Sequence, residues 1–177
     1  MVLRMEVNKM ARAMDVADEI ITIASKQGSP VSNLMLQKVM YFLNALSLVN
    51  QGNPLINDGQ RFEKWDYGPV IHSVYTEYSD NGRNLIRTPK VHDFFERDKE
   101  GKLKIKHRVF NSQNLSTNEK TFIMQNINVF LKYDPFELVD WSHEEPQWKN
   151  KSPYFYDNQE TRNYYSIKSN RFWEWNS

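Results

Sequence analysis

The segment from Leu34 to Val49 constrains this chain more than any other part of it. It is the longest apolar stretch, yet Gln37, Lys38, Asn44 and Ser47 interrupt it, so it reads as a core helix rather than a membrane span. Projected at 100° per residue, Asn33, Gln37, Asn44, Ser47 and Gln51 fall on one narrow polar stripe and nearly everything else is apolar. Ser32 supplies an N-cap and the helix ends near Gly52. A helix this apolar has to sit at the centre of a domain.

The remaining elements arrange themselves around it. Asp15 is the expected N-cap of a first helix carrying Val16, Ala17, Ile20, Ile21 and Ala24, stopped by Gly28 and Pro30. Arg61 to Tyr67 reads as a short extended segment, and Pro69 as the first residue of a helix of about three turns with Val70, Ile71, Val74, Tyr75 and Tyr78 on its inner face. Between Val91 and Phe110 the period changes to two. Leu103, Ile105, His107 and Val109 alternate with Lys102, Lys104, Lys106 and Arg108 after the turn Asp98-Lys99-Glu100-Gly101, the pattern of a β-hairpin with its lysines in solvent. Ser116 and Glu119 form a capping box for a helix ending near Tyr133, and Asp134-Pro135 starts a shorter one carrying Phe136, Leu138, Val139 and Trp141. The fold class is therefore mainly α, a helical domain with one small β-hairpin. Residues 1–14 form an N-terminal extension, 15–150 the domain and 151–177 an aromatic-rich tail. The stretch Tyr154 to Ser177 holds eight of the chain's 24 aromatic residues, enough that docking on the domain is the expected fate, though no period marks its structure.

Composition removes several classes of chemistry. Cysteine is absent, which excludes disulfides, thiol nucleophiles and thiolate metal sites and fits a reducing, cytoplasmic setting. With 23 basic and 22 acidic residues the net charge is +1, so nothing steers the whole molecule toward nucleic acid or an anionic membrane. Charges at Arg4, Glu6, Lys9 and Arg12 break up any secretory segment near the start. No phosphate-cradling glycine loop or nucleophile elbow occurs. His143-Glu144-Glu145 invites a metal or acid–base reading, but neighbouring helical residues point about 100° apart, and the carboxylates are expected in solvent. The sequence thus offers no catalytic residue, cofactor or metal.

Three features remain for binding. Lys38 projects among Leu34, Tyr41, Phe42, Ala45 and Val49. It is either a structural cation, paired with Glu63, Asp66 or a distal carboxylate or snorkelling to solvent, or a contact residue in a partner groove. Phe62, Trp65, Tyr67, His72 and Tyr75 straddle the rigid Gly68-Pro69 step, as core residues or as interface anchors. The basic strand Lys102 to Arg108 either contacts phosphate or protects a sheet edge.

Leu34 to Ala45 (LMLQKVMYFLNA), Gly52 to Leu55 (GNPL), Phe62 to Tyr75 (FEKWDYGPVIHSVY) and Trp141 to Lys149 (WSHEEPQWK, a T/S-H-x-E-x-x-W-like segment) together resemble the Panacea domain of SocA-like antitoxins and phage-associated GepA-type proteins. The resemblance implies a mostly helical domain that neutralises a neighbour-encoded protein toxin by direct contact; the residues themselves give no sign of an enzyme or a membrane partner, do not favour nucleic acid, and leave self-association open. Its motif falls on Leu36, Gln37, Lys38, Tyr41, Phe42, Trp65, Tyr67, Gly68, Pro69, Val70 and Tyr75. Of these, Gln37, Lys38, Trp65, Tyr67 and Tyr75, with His72, form the candidate partner-binding set. Leu36, Tyr41, Phe42, Gly68, Pro69, Val70, Trp141, His143 and Trp148 are expected to be structural. The alternatives that stay open are a nucleic-acid-binding regulator using 102–108 and an adaptor delivering a toxin to a protease.

Overall fold

The computed structural model describes residues 12–175, so most of the N-terminal extension lies outside the described residues. In chain order the elements are α1 (Ala13–Lys26), α2 (Asn33–Asn50), β1 (Glu63–Trp65), β2 (Gly68–Val70), α3 (His72–Glu77), β3 (His92–Arg97), β4 (Leu103–Arg108), α4 (Thr117–Leu131), α5 (Pro135–His143), α6 (Pro146–Lys149) and α7 (Asn158–Ser166). The protein is mainly α, as the periodicities require, with two small antiparallel pairs, β1–β2 and β3–β4.

Helix α2 is the axis of the molecule. Every residue from Met35 to Leu48 is buried, and α1, α4, α5, α7 and β2 pack around it. Ser32 caps it by accepting from the Met35 amide at 3.2 Å. A helix buried on all sides has to satisfy its polar groups internally, and the stripe read from the sequence does so. Asn33 donates to Tyr75 O at 3.0 Å, Asn44 accepts from the Ile56 amide at 3.1 Å, and Ser47 donates to Asn53 O at 2.8 Å. Except at exposed Gln51, the stripe therefore fastens the connecting segments rather than facing water. On the apolar side Phe42 is fully buried within a ring cluster, its centroid 5.0 Å from Phe172 and 5.7 Å from Phe130.

The two capping boxes, Ser116 with Glu119 on α4 and Asp134 with Glu137 on α5, are both formed. Other local expectations need correction. Asp15 does not cap α1, which starts at Ala13; its carboxylate lies buried in the first turn, bonded to Arg108 and Asn114. Pro69 does not open a helix. It sits in β2, paired with Lys64, and α3 begins only at His72 and closes at Glu77. The tail carries helix α7, which packs on α2, and it buries Tyr156, Tyr165, Phe172 and Trp173. An isolated bridge between Glu63 and Phe155 lays the start of this tail beside β1.

The β3–β4 hairpin forms in the expected place but presents the unexpected face. His92 and Arg108, opposite one another in register, turn toward the body. This puts Phe95, Leu103, Ile105 and Val109, rather than the lysines alone, in solvent. A period of two specifies that a hairpin has two faces; the charge pairs at its root decide which one points inward.

Candidate functional site

The motif residues converge on the β1–β2 turn. Its pairs are Glu63 with Val70, Lys64 with Pro69 and Trp65 with Gly68, leaving Asp66 and Tyr67 at the tip. Gly68 adopts φ +84°, a backbone conformation that costs other residues about 1–2 kcal/mol. A Cβ there would overlap Ser142 Oγ and lie 3.2 Å from Lys38 Cε. The glycine thus lets the turn seat directly on α2 and α5.

Lys38 lies beneath it with no exposed surface. Its ammonium donates to Pro69 O at 2.8 Å, and burial pushes its pKa well below the usual lysine value. Among the described residues no carboxylate pairs with it, so the ion pair with Glu63 or Asp66 is not formed, and with no exposed surface the side chain does not snorkel to solvent. Gln37 is likewise interior. Its Oε1 accepts from the Ile71 amide at 3.0 Å and fixes the start of α3. Both residues leave the partner-binding set because their polar atoms are enclosed and used to hold the turn.

From the other side the C-terminal signature grips the same turn. Trp148 donates its indole N–H to Trp65 O at 3.0 Å, and the His143 ring stacks on Trp148 with centroids 3.5 Å apart. Burial lowers the His143 pKa, opposed by a hydrogen bond with the Asp66 backbone. Trp141 stacks on Phe172 at 5.0 Å. Leu36, Tyr41, Phe42, Pro69 and Val70 are all buried.

Glu145 was expected in solvent and is instead fully enclosed. It accepts from Tyr41 Oη at 2.6 Å, Tyr165 Oη at 2.7 Å and Gln147 Nε2 at 2.9 Å. Burial raises its pKa to about 7, with these three donors opposing the shift. Both carboxylate oxygens are engaged by protein donors, an arrangement suited to joining α2, α6 and α7 rather than to activating a substrate. The clue was present in the sequence, because Glu145 is the glutamate of S-H-x-E-x-x-W; its adjacency to Glu144 misled. Among the described residues no group of His, Asp and Glu is arranged to hold a metal.

What the bolted turn presents outward is aromatic. Tyr67 at the tip is 62% exposed and meets Phe136, itself 58% exposed, edge to face with centroids 6.2 Å apart. Half-buried Trp65 contacts Tyr75 at 4.8 Å and His72 at 5.8 Å, and its indole N–H donates to Glu63 Oε2 at 2.6 Å. The structure therefore sets His72 and Tyr75 against Trp65 and leaves Tyr67, at the tip of the same turn, against Phe136. It adds Phe136, an exposed residue of α5 outside the candidate partner-binding set.

Fold and site together define a mainly helical domain built to hold one rigid aromatic turn. The chain belongs to the antitoxin SocA-like, Panacea domain family, whose model matches residues 36–149. It is also 42% identical over 74 residues to Antitoxin SocA of Caulobacter vibrioides (strain NA1000 / CB15N), a stretch covering 42% of this chain and 38% of that protein. No solved structure matches. No helix among the described residues is long and apolar enough to cross a membrane.

Proposed function

We propose that this protein is a cytoplasmic antitoxin that neutralises a protein toxin encoded beside it, by direct contact through the aromatic surface around the β1–β2 turn. Family membership supports the role, and the observation that carries the location is the exposed Tyr67–Phe136 pair on a turn fixed from below by Lys38 and Trp148. Tyrosine and tryptophan on a rigid support lose little entropy when a partner covers them, which is why such residues dominate binding energy. The test is the affinity of the purified neighbour-encoded toxin for the chain and for Tyr67→Ala combined with Phe136→Ala. A loss of at least about tenfold is expected with the fold intact. Unchanged affinity removes this surface from the account.

A further inference from the structure

The β3–β4 hairpin leaves the body as a two-stranded wing. Its root is held by charge: His92 Nε2 lies 2.7 Å from Asp18, His92 Nδ1 lies 3.2 Å from Glu77, and Arg108 is bonded to Asp15. Beyond the root every residue of Leu103–His107 is exposed. Phe95 and Ile105 are direct cross-strand partners, 71% and 58% exposed, and Leu103 and Val109 extend the same apolar face. The Asp93–His107 pair separates Ile105 from Val109, but large apolar side chains exposed together on one strand face mark a place where something docks.

We propose that the edge of β4 left unpaired among the described residues pairs with an extended segment of a partner protein in which carboxylates alternate with apolar side chains. The argument is charge complementarity along the strand. β4 sets Lys104 and Lys106 on one face and Leu103 and Ile105 on the other, with Lys102 continuing the basic row. A strand added to that edge places its side chains about 4.5–5.5 Å from these, so its residues beside the lysines must be acidic and its alternate ones apolar. Edge lysines hinder pairing with neutral or basic strands and so select for an acidic one. Both ammonium groups are exposed, Lys106 in a solvent-exposed pair with Glu96 and Lys104 against the less exposed Asp98, and pairs at the surface are weak enough to exchange for a partner's carboxylates.

Two other occupants fit less well. Pairing β4 with β4 of a second copy sets lysine beside lysine on one face, which is repulsive. A nucleic acid would use the cations but leave the aliphatic face of Leu103, Ile105 and Val109 uncovered. The proposal does not depend on the antitoxin reading.

The test uses the full chain and a labelled short peptide alternating valine and glutamate, with a valine–lysine peptide and a single-stranded oligonucleotide as comparators, followed by fluorescence anisotropy. The valine–glutamate peptide is expected to bind, weakening at least about tenfold in Ile105→Ser. Lys104→Glu combined with Lys106→Glu is expected to reverse the preference in favour of the valine–lysine peptide. All these positions are exposed, so the variants keep the fold, as circular dichroism would verify. Absence of binding by the valine–glutamate peptide overturns the proposal. Equal binding of both peptides, preferential binding of the oligonucleotide, or a dimer through the hairpin in sedimentation equilibrium does so as well.

Discussion

Glu145 makes the stability of this protein depend on pH in a way that can be worked out from its surroundings. The carboxyl titrates near 4.5 when solvated and at about 7 in the fold, because burial disfavours the anion more than Tyr41, Tyr165 and Gln147 favour it. Below pH 4.5 both states carry the proton and the group is neutral to stability. Between 4.5 and about 7 the unfolded chain releases its proton while the folded chain retains it, so stability falls as pH rises; above about 7 the full cost is present. At about 1.4 kcal/mol per pH unit the cost reaches about 3 kcal/mol. For a chain of this length that corresponds to a Tm lower by about 6–12 °C. Glu145→Gln removes the titration and nearly preserves shape, and Tyr41 Oη has an alternative acceptor in Thr161 Oγ1 at 3.3 Å. Urea unfolding at pH 5 and pH 8.5 is the assay. The variant should match the natural protein within about 1 kcal/mol at the lower pH and exceed it by about 3 kcal/mol at the higher. Parallel pH profiles for the two proteins would show that Glu145 is ionised in the fold and refute the reasoning.

Other perturbations test other parts of the structure. Gly68→Ala combines an unfavourable positive φ with overlap against Ser142 and should destabilise by about 2–4 kcal/mol in chemical denaturation. Phe42→Ala opens a cavity among Phe130, Phe172 and Trp173 and should cost about 3–5 kcal/mol by the same measurement. The Asp18 and Glu77 carboxylates raise the His92 pKa above 6.5, so its contribution is complete below 6.5 and is lost as pH rises through the folded value. His92→Asn should therefore speed amide exchange in β3 and β4 below pH 6.5 and have a smaller effect in alkaline solution.

What could be read from the sequence was what is local. The Ser32 cap, the two capping boxes and the alternation at 102–108 are each set by residues within a few positions, and each element formed where its signals lie. The β1–β2 turn was not legible, because Gly68-Pro69 carries a helix-start signal that is overridden by Lys38, 31 residues away, reaching Pro69 O. Phe136 carried no signal beyond its place on α5, and only the placement of Tyr67 shows why it belongs with the site. Trp65, Tyr67, His72 and Tyr75 could be named beforehand, and Phe136 could not, for a related reason. Side-chain type identifies aromatic residues suited to an interface, but burial, which removed Gln37 and Lys38 and revealed Glu145, is decided by contacts across the whole chain.

The central claim is that this chain acts as an antitoxin by binding. The most direct measurement is growth of cells expressing the neighbouring open reading frame, alone and with this chain, followed by co-purification and size-exclusion chromatography. Arrested growth that this chain restores, with both proteins eluting as one complex, is the predicted result. Restored growth without any complex, or toxicity that this chain leaves unrelieved, would contradict it.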